Sequence, residues 1–168
     1  MSRWKISAVA LLAATLTLLP GPVEAQEATM SDPAGDTLAR GLDVTRVKVS
    51  NQDFRIVTTV HFVRTRRGEL IVALDPRGAN PGVVLVSRYR PRGPTRNFVL
   101  SAAGNAPRVR CPGFKVAWRP ARDLARMTLP STCLKRGNYG AVRFAFLTER
   151  NAADIDFSSD RSAFIPRG

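Results

Sequence analysis

Hydrophobic residues along this chain recur in short alternations rather than in helical stripes. Between Phe54 and Phe62, read FRIVTTVHF, the residues Phe54, Ile56, Thr58, Val60 and Phe62 occupy alternate positions, with Arg55, Thr59 and His61 between them. An extended strand points successive side chains to opposite faces, so this run predicts a half-buried strand with both Phe rings on its covered face and His61 on the other. The same period of two returns in Leu70, Val72 and Leu74, in Phe114, Val116 and Trp118, in Ala125, Met127 and Leu129, and in Val142, Phe144 and Phe146. Leu42, Val44, Val47 and Val49 change parity between Val44 and Val47, as one extra residue in a β-bulge would produce. Val83 to Arg90 is an apolar run that ends in arginines. Thr95 to Leu100 is a shorter strand, and the stretch from Asp154 to Phe164 offers a last edge strand.

Between these runs stand turn formers: Asn51-Gln52-Asp53, Gly68, Asp75-Pro76, Pro91-Arg92-Gly93-Pro94 and Pro130. No window of eleven residues or more carries a helical period. Eight or nine short strands separated by Gly and Pro predict an all-β domain. An antiparallel β-sandwich, jelly-roll or immunoglobulin-like, is favoured over a closed barrel.

Residues 1 to 25 read as a targeting segment. Arg3 and Lys5 open it, Ile6 to Leu19 is a 14-residue run of apolar and small residues, Pro20-Gly21-Pro22 breaks it, and Val23-Glu24-Ala25 has the small-residue cleavage pattern. A spanning helix needs ~20 apolar residues, so a signal peptide cleaved after Ala25 is expected, with no membrane span left. The remainder divides into an extended opening segment, 26–41, and one β-sandwich domain, 42–168, expected to be a secreted monomer.

Charge then changes the picture. The chain holds 26 basic residues, only four of them Lys, against 13 acidic ones. Without the leader the counts are 24 and 12, a net +12. Such an excess fits association with polyanions such as anionic envelope polymer or polysaccharide, or a solvated surface that needs charge only for solubility. Arg88, Arg90 and Arg92 stand at i, i+2 and i+4, and would form a stripe on one face if the strand persists that far. Arg64, Arg66 and Arg67 lie in a turn, and Arg96, Arg108 and Arg110 follow in later segments. The alternative is an edge strand whose charges block sheet-to-sheet aggregation. Nucleic acid is disfavoured because Arg and aromatic residues are not interleaved for base stacking.

Other chemistry is sparse. Cys111 and Cys133 are the only cysteines, 22 positions apart, and an exported pair predicts one disulfide tying off the two strands between them, worth about 3 kcal/mol. Asp32, Asp36 and Asp43 could give carboxylate oxygens to calcium, with Asp154 and Asp156 joining if the tail returns to the opening segment. Against this, Asp beside Pro and Gly is ordinary turn chemistry, the side chain capping its own backbone. His61 is the only histidine, no nucleophile elbow or phosphate-cradling glycine loop is present, and after the leader Glu is limited to Glu27, Glu69 and Glu149. A non-enzymatic module is therefore expected, a small secreted hydrolase being the low-weight alternative.

The order Asp32-Pro33-Ala34-Gly35-Asp36, Gly41-Leu42-Asp43-Val44-Thr45-Arg46-Val47, Cys111-Pro112-Gly113 and Pro130-Ser131-Thr132-Cys133-Leu134 resembles a group of secreted actinobacterial proteins of no assigned activity. More distantly the chain resembles the β-sandwiches of DOMON domains and of family 9 carbohydrate-binding modules, which share an early Asp and a Gly-Asp turn. That resemblance implies a ligand-binding or adhesive sandwich with a structural calcium near the opening segment and no catalysis. Carbohydrate modules of this kind carry an aromatic clamp, whereas Trp118 is the only Trp beyond the leader. Haem-binding relatives use axial Met and His, for which only His61 with Met30 or Met127 is available.

Overall fold

Alternation with β-branched residues favours pleated strands, and the turn formers between them let consecutive strands fold back on one another. A computed structural model describes residues 26–37, 41–78, 81–103, 105, 107–151 and 154–168. The expected signal peptide lies outside the described residues. Within them run strands β1 (Gln26–Ser31), β2 (Val44–Asn51), β3 (Arg55–Phe62), β4 (Gly68–Pro76), β5 (Val83–Tyr89), β6 (Arg96–Ser101), β7 (Arg108–Val109), β8 (Lys115–Arg119), β9 (Leu124–Pro130), β10 (Ala141–Arg150), β11 (Asp154–Phe157) and β12 (Ile165–Pro166). There are more strands than the eight or nine expected, because the opening segment contributes β1 and because β7 and β12 are two-residue pairings. Among the described residues no helix is long and apolar enough to cross a membrane.

The strands form two antiparallel sheets, ordered β1-β2-β3-β9-β8 and β11-β10-β4-β5-β6-β7, with β12 also on β10. Their inner faces enclose one hydrophobic core, the layout of a β-sandwich. Val47, Val49, Ile56, Val60, Met127 and Leu129 come from the first sheet, and Leu70, Val72, Leu74, Leu85, Phe144 and Phe146 from the second. The parity change in β2 is a real irregularity, since the β2–β3 register shifts between Val44 and Arg46. Cys111 and Cys133 form the expected disulfide, with Cα atoms 5.4 Å apart.

Two expectations fail locally. Phe54 is not on the covered face of β3: it is 84% exposed, because the strand begins at Arg55 and Phe54 lies in the turn, where its carbonyl accepts the Ser131 N–H at 2.9 Å. The strand preceding Arg90 ends at Tyr89, so the spacing of Arg88, Arg90 and Arg92 does not continue along one strand face.

The tail closes the fold by strapping both ends of β2 to the second sheet. Near the start of β2, the carboxylate of Asp156 accepts the Val44 N–H at 2.7 Å. At its end the fully buried Asn51 donates from Nδ2 to the Ile165 carbonyl at 2.9 Å and accepts the Tyr139 hydroxyl at 3.2 Å. Buried polar groups need partners, and these two side chains find theirs across the sandwich.

Candidate functional site

The opening segment folds into a turn because Gly35 takes a left-handed backbone, φ 88°, and donates its N–H to Asp43 Oδ2 at 2.8 Å. That turn carries Asp32 and Asp36 towards the second sheet. On β11, paired along β10, Asp156 faces inward opposite Thr148 while Ile155 and Phe157 face out. The tail thus does return to the opening segment. Carboxylate oxygens of Asp32, Asp36 and Asp156 lie within 4.8 Å of one another. Asp43 is outside this trio, with one oxygen capping the turn, and Asp154 sits beside Gly41, where a Cβ would meet its carboxyl at 3.1 Å. A glycine at position 41 is what lets that carboxyl approach.

The electrostatics of the trio are unfavourable when it is empty of positive charge. Asp156 is only 4% exposed, and burial pushes its carboxyl up to about 7, the Val44 amide opposing the rise and Asp32 and Asp36 adding to it. Burial also raises Asp32, partly offset by its contact with Asp156. Asp32 Oδ2 is buried with no hydrogen-bond partner, as is Asp43 Oδ1. Chemically, such a group either shares protons or holds a hard cation. Calcium wants six or more oxygens, and three carboxylates with nearby carbonyls and water fit that donor chemistry.

The arginines sort into engaged and uncommitted sets. Arg88 pairs with Glu69 and lies over the Phe98 ring, and the Glu69 contact raises its pKa further. Arg143 and Arg161 share Asp75, and Arg167 approaches Asp53. Arg67, Arg90 and Arg92, in contrast, have no carboxylate or ring partner among the described residues. They line one open groove with Pro91, Gly93 and Pro94, between the β3–β4 and β5–β6 turns. Arg64 and Arg66 face an adjacent hollow with Gly41 and Asp43. Asp123, itself left-handed at φ 47°, holds the β3–β4 turn by accepting the Thr65 N–H at 2.7 Å. The structure therefore brings Arg67 to Arg90 and Arg92; Arg88 shares a neighbouring pocket with Arg67 and Arg90, where Glu69 holds it and Glu149 adds a second carboxylate.

The sugar and haem candidates are placed differently. Trp118 packs inside the sandwich between Phe62 and Tyr89, at 5.6 and 4.6 Å between ring centroids, and donates Nε1–H to Ser87 Oγ at 2.9 Å. It is an interior ring, as its shared parity with Phe114 and Val116 implied. His61 faces out from the first sheet, whereas Met127 is buried in the core and Met30 packs against it. His61 and either Met lie on opposite sides of one sheet and cannot clasp a single haem. Burial, with Arg46 nearby, lowers the His61 pKa.

Sequence reasoning missed one surface. The outer face of the first sheet carries Arg46, Lys48, Arg55, Lys115, Arg119 and Arg126, all exposed. Alternation alone assigns each of them outward. Only the cross-strand register makes them neighbours.

No family model, curated protein or solved structure matches the chain.

Proposed function

We propose that the chain is a secreted, non-enzymatic β-sandwich module that binds anionic polymers at the cell envelope. The observation that carries this reading is the groove lined by Arg67, Arg90 and Arg92, whose lining contains no carboxylate and whose guanidinium groups have no partner among the described residues. Arginine's planar fork grips phosphate or carboxylate bidentately, so three uncommitted forks from two turns make an anion clamp. The net charge adds long-range attraction for the same class of partner. His61, hemmed by Arg46 and without a hydrogen-bond partner among the described residues, has no nucleophile to activate. The test is retention on an anionic-polymer matrix at low and high salt. The R67Q/R90Q/R92Q variant should elute at clearly lower salt than wild type, and unchanged elution would overturn the groove's part in binding.

A second reading concerns the carboxylates. Calcium held by Asp32, Asp36 and Asp156 would fasten the opening segment to the tail, as a structural ion in a carbohydrate-binding or adhesive module would. The buried, unpartnered Asp32 Oδ2 within the trio favours it. Melting with calcium and with chelator decides the matter: a higher midpoint in calcium is expected, abolished by D36N, and equal midpoints would remove the ion.

A further inference from the structure

The outer face of the first sheet has the composition of a binding surface rather than of a solvated edge. Reading across strands by register, Ser31, Arg46, His61, Leu124 and Arg119 form one row. Thr29, Lys48, Thr59, Arg126 and Ala117 form the next, followed by Glu27, Ser50, Val57, Thr128 and Lys115. Adjacent strands lie about 4.8 Å apart and same-face residues about 6.8 Å apart along a strand, so the cations recur at roughly 7 to 10 Å across the sheet. Only Lys48 is paired, with Glu27, while Arg55 bonds Gln52. Arg46, Lys115, Arg119 and Arg126 have no carboxylate or ring partner among the described residues. Hydroxyls of Thr29, Thr59 and Thr128 stand between the charges. Lys115 and Arg119 stand on the edge strand β8, but Arg46, Lys48 and Arg126 lie on the interior strands β2 and β9, and protection of an unpaired edge does not explain those three.

Resting on the anionic-polymer reading, we infer that this face is its main contact surface and that the class of ligand is a linear polyphosphate or phosphodiester chain, read through its phosphates alone. A phosphate offers several oxygens around one centre and can take an arginine fork and a threonine hydroxyl together. The rows carry no Phe, Tyr or Trp, and the small imidazole of His61 is their only ring, which leaves no extended platform for a sugar ring or for a run of stacked bases. His61 lies in the same row as Arg46 and Arg119 and is the only histidine of the chain, so it reports occupancy of this face and not of the groove.

The probe is inorganic polyphosphate added to the full chain, with affinity measured against salt. Six contacts predict a slope of about −4 in log K against log salt, at roughly 0.7 per phosphate. R46Q/K48Q/R126Q should weaken binding at least about tenfold and flatten the slope by about 2. In the wild type the His61 ring resonance should titrate at higher pH when polyphosphate is present, because bound anions favour the imidazolium. Loss of binding in R67Q/R90Q/R92Q with an unmoved His61 titration would overturn the sheet-face assignment and leave the groove reading intact. No binding of polyphosphate or of other polyanions by wild type at low salt would overturn both. Tighter binding of oligothymidylate than of polyphosphate of equal charge would overturn readout through phosphates alone. Circular dichroism of both triple variants confirms that their folds are unchanged.

Discussion

The two outer faces of the sandwich use the same residue type in opposite ways. On the second sheet, Phe157, Leu147, Ile71, Val86 and Phe98 form a continuous apolar row from β11 to β6. Its arginines serve that surface: Arg88 and Arg108 lie over the Phe98 ring, and Arg77 and Arg143 over Phe164. Val86 points outward yet is only 2% exposed. On the first sheet no Phe, Tyr or Trp ring is offered to Arg46, Arg119 or Arg126, and their charged heads are left to solvent or to a ligand. An excess of arginine is thus two populations, one covering apolar surface with its stem and plane, the other holding charge in reserve.

Both faces cover one shared interior, and the largest effects should come from there. Phe144→Ala in the second sheet and Met127→Ala in the first should each cost about 2–5 kcal/mol in urea unfolding. A cost below about 1 kcal/mol on either side would mean that its sheet does not share the core.

The buried carboxylate gives the next effect. In the metal-free protein the folded pKa of Asp156 lies above its unfolded value, so the native state holds more protons between about pH 4 and 7. Stability should therefore fall as pH rises through that window, by up to about 1 kcal/mol per pH unit, and level off above it. Unfolding of chelated protein at pH 5, 6 and 7 measures the slope, and Asp156→Asn or bound calcium should flatten it.

Matched charge removal on the two faces tests the comparison directly. R119Q/R126Q on the first sheet should lower polyphosphate affinity about tenfold, and R108Q/R143Q on the second by less than about twofold, although each removes two charges. Equal losses would show that net charge, not the face, governs binding.

The smallest effect belongs to the apolar row. Phe98→Ala should cost about 1 kcal/mol of stability through lost ring contact with Arg88 and Arg108, with no change in polyanion retention. A drop in retention would place the second sheet in the binding surface.

Much of this architecture is legible in the chain. Alternation identified the inner residues of β4, β9 and β10, the parity change in Val44 to Val49 located the bulge, and the cysteine pair foretold the bridge. These features are local, set by the period of two and by chain entropy. Phe54 escaped because a strand boundary, not periodicity, decides whether an alternating residue is covered. Arg90 and Arg92 escaped for the same reason, the strand stopping at Tyr89.

What the sequence determined by itself is which side of its strand each residue occupies. Tertiary structure decided which strands are neighbours, because register joins residues as distant as Arg46 and Arg126 into one face, and tail packing carries Asp156 to Asp32 and Asp36. Contacts between residues far apart in sequence depend on how whole sheets bury their inner faces against each other. The outer surfaces, and whatever chemistry they carry, are assembled as a consequence of that burial.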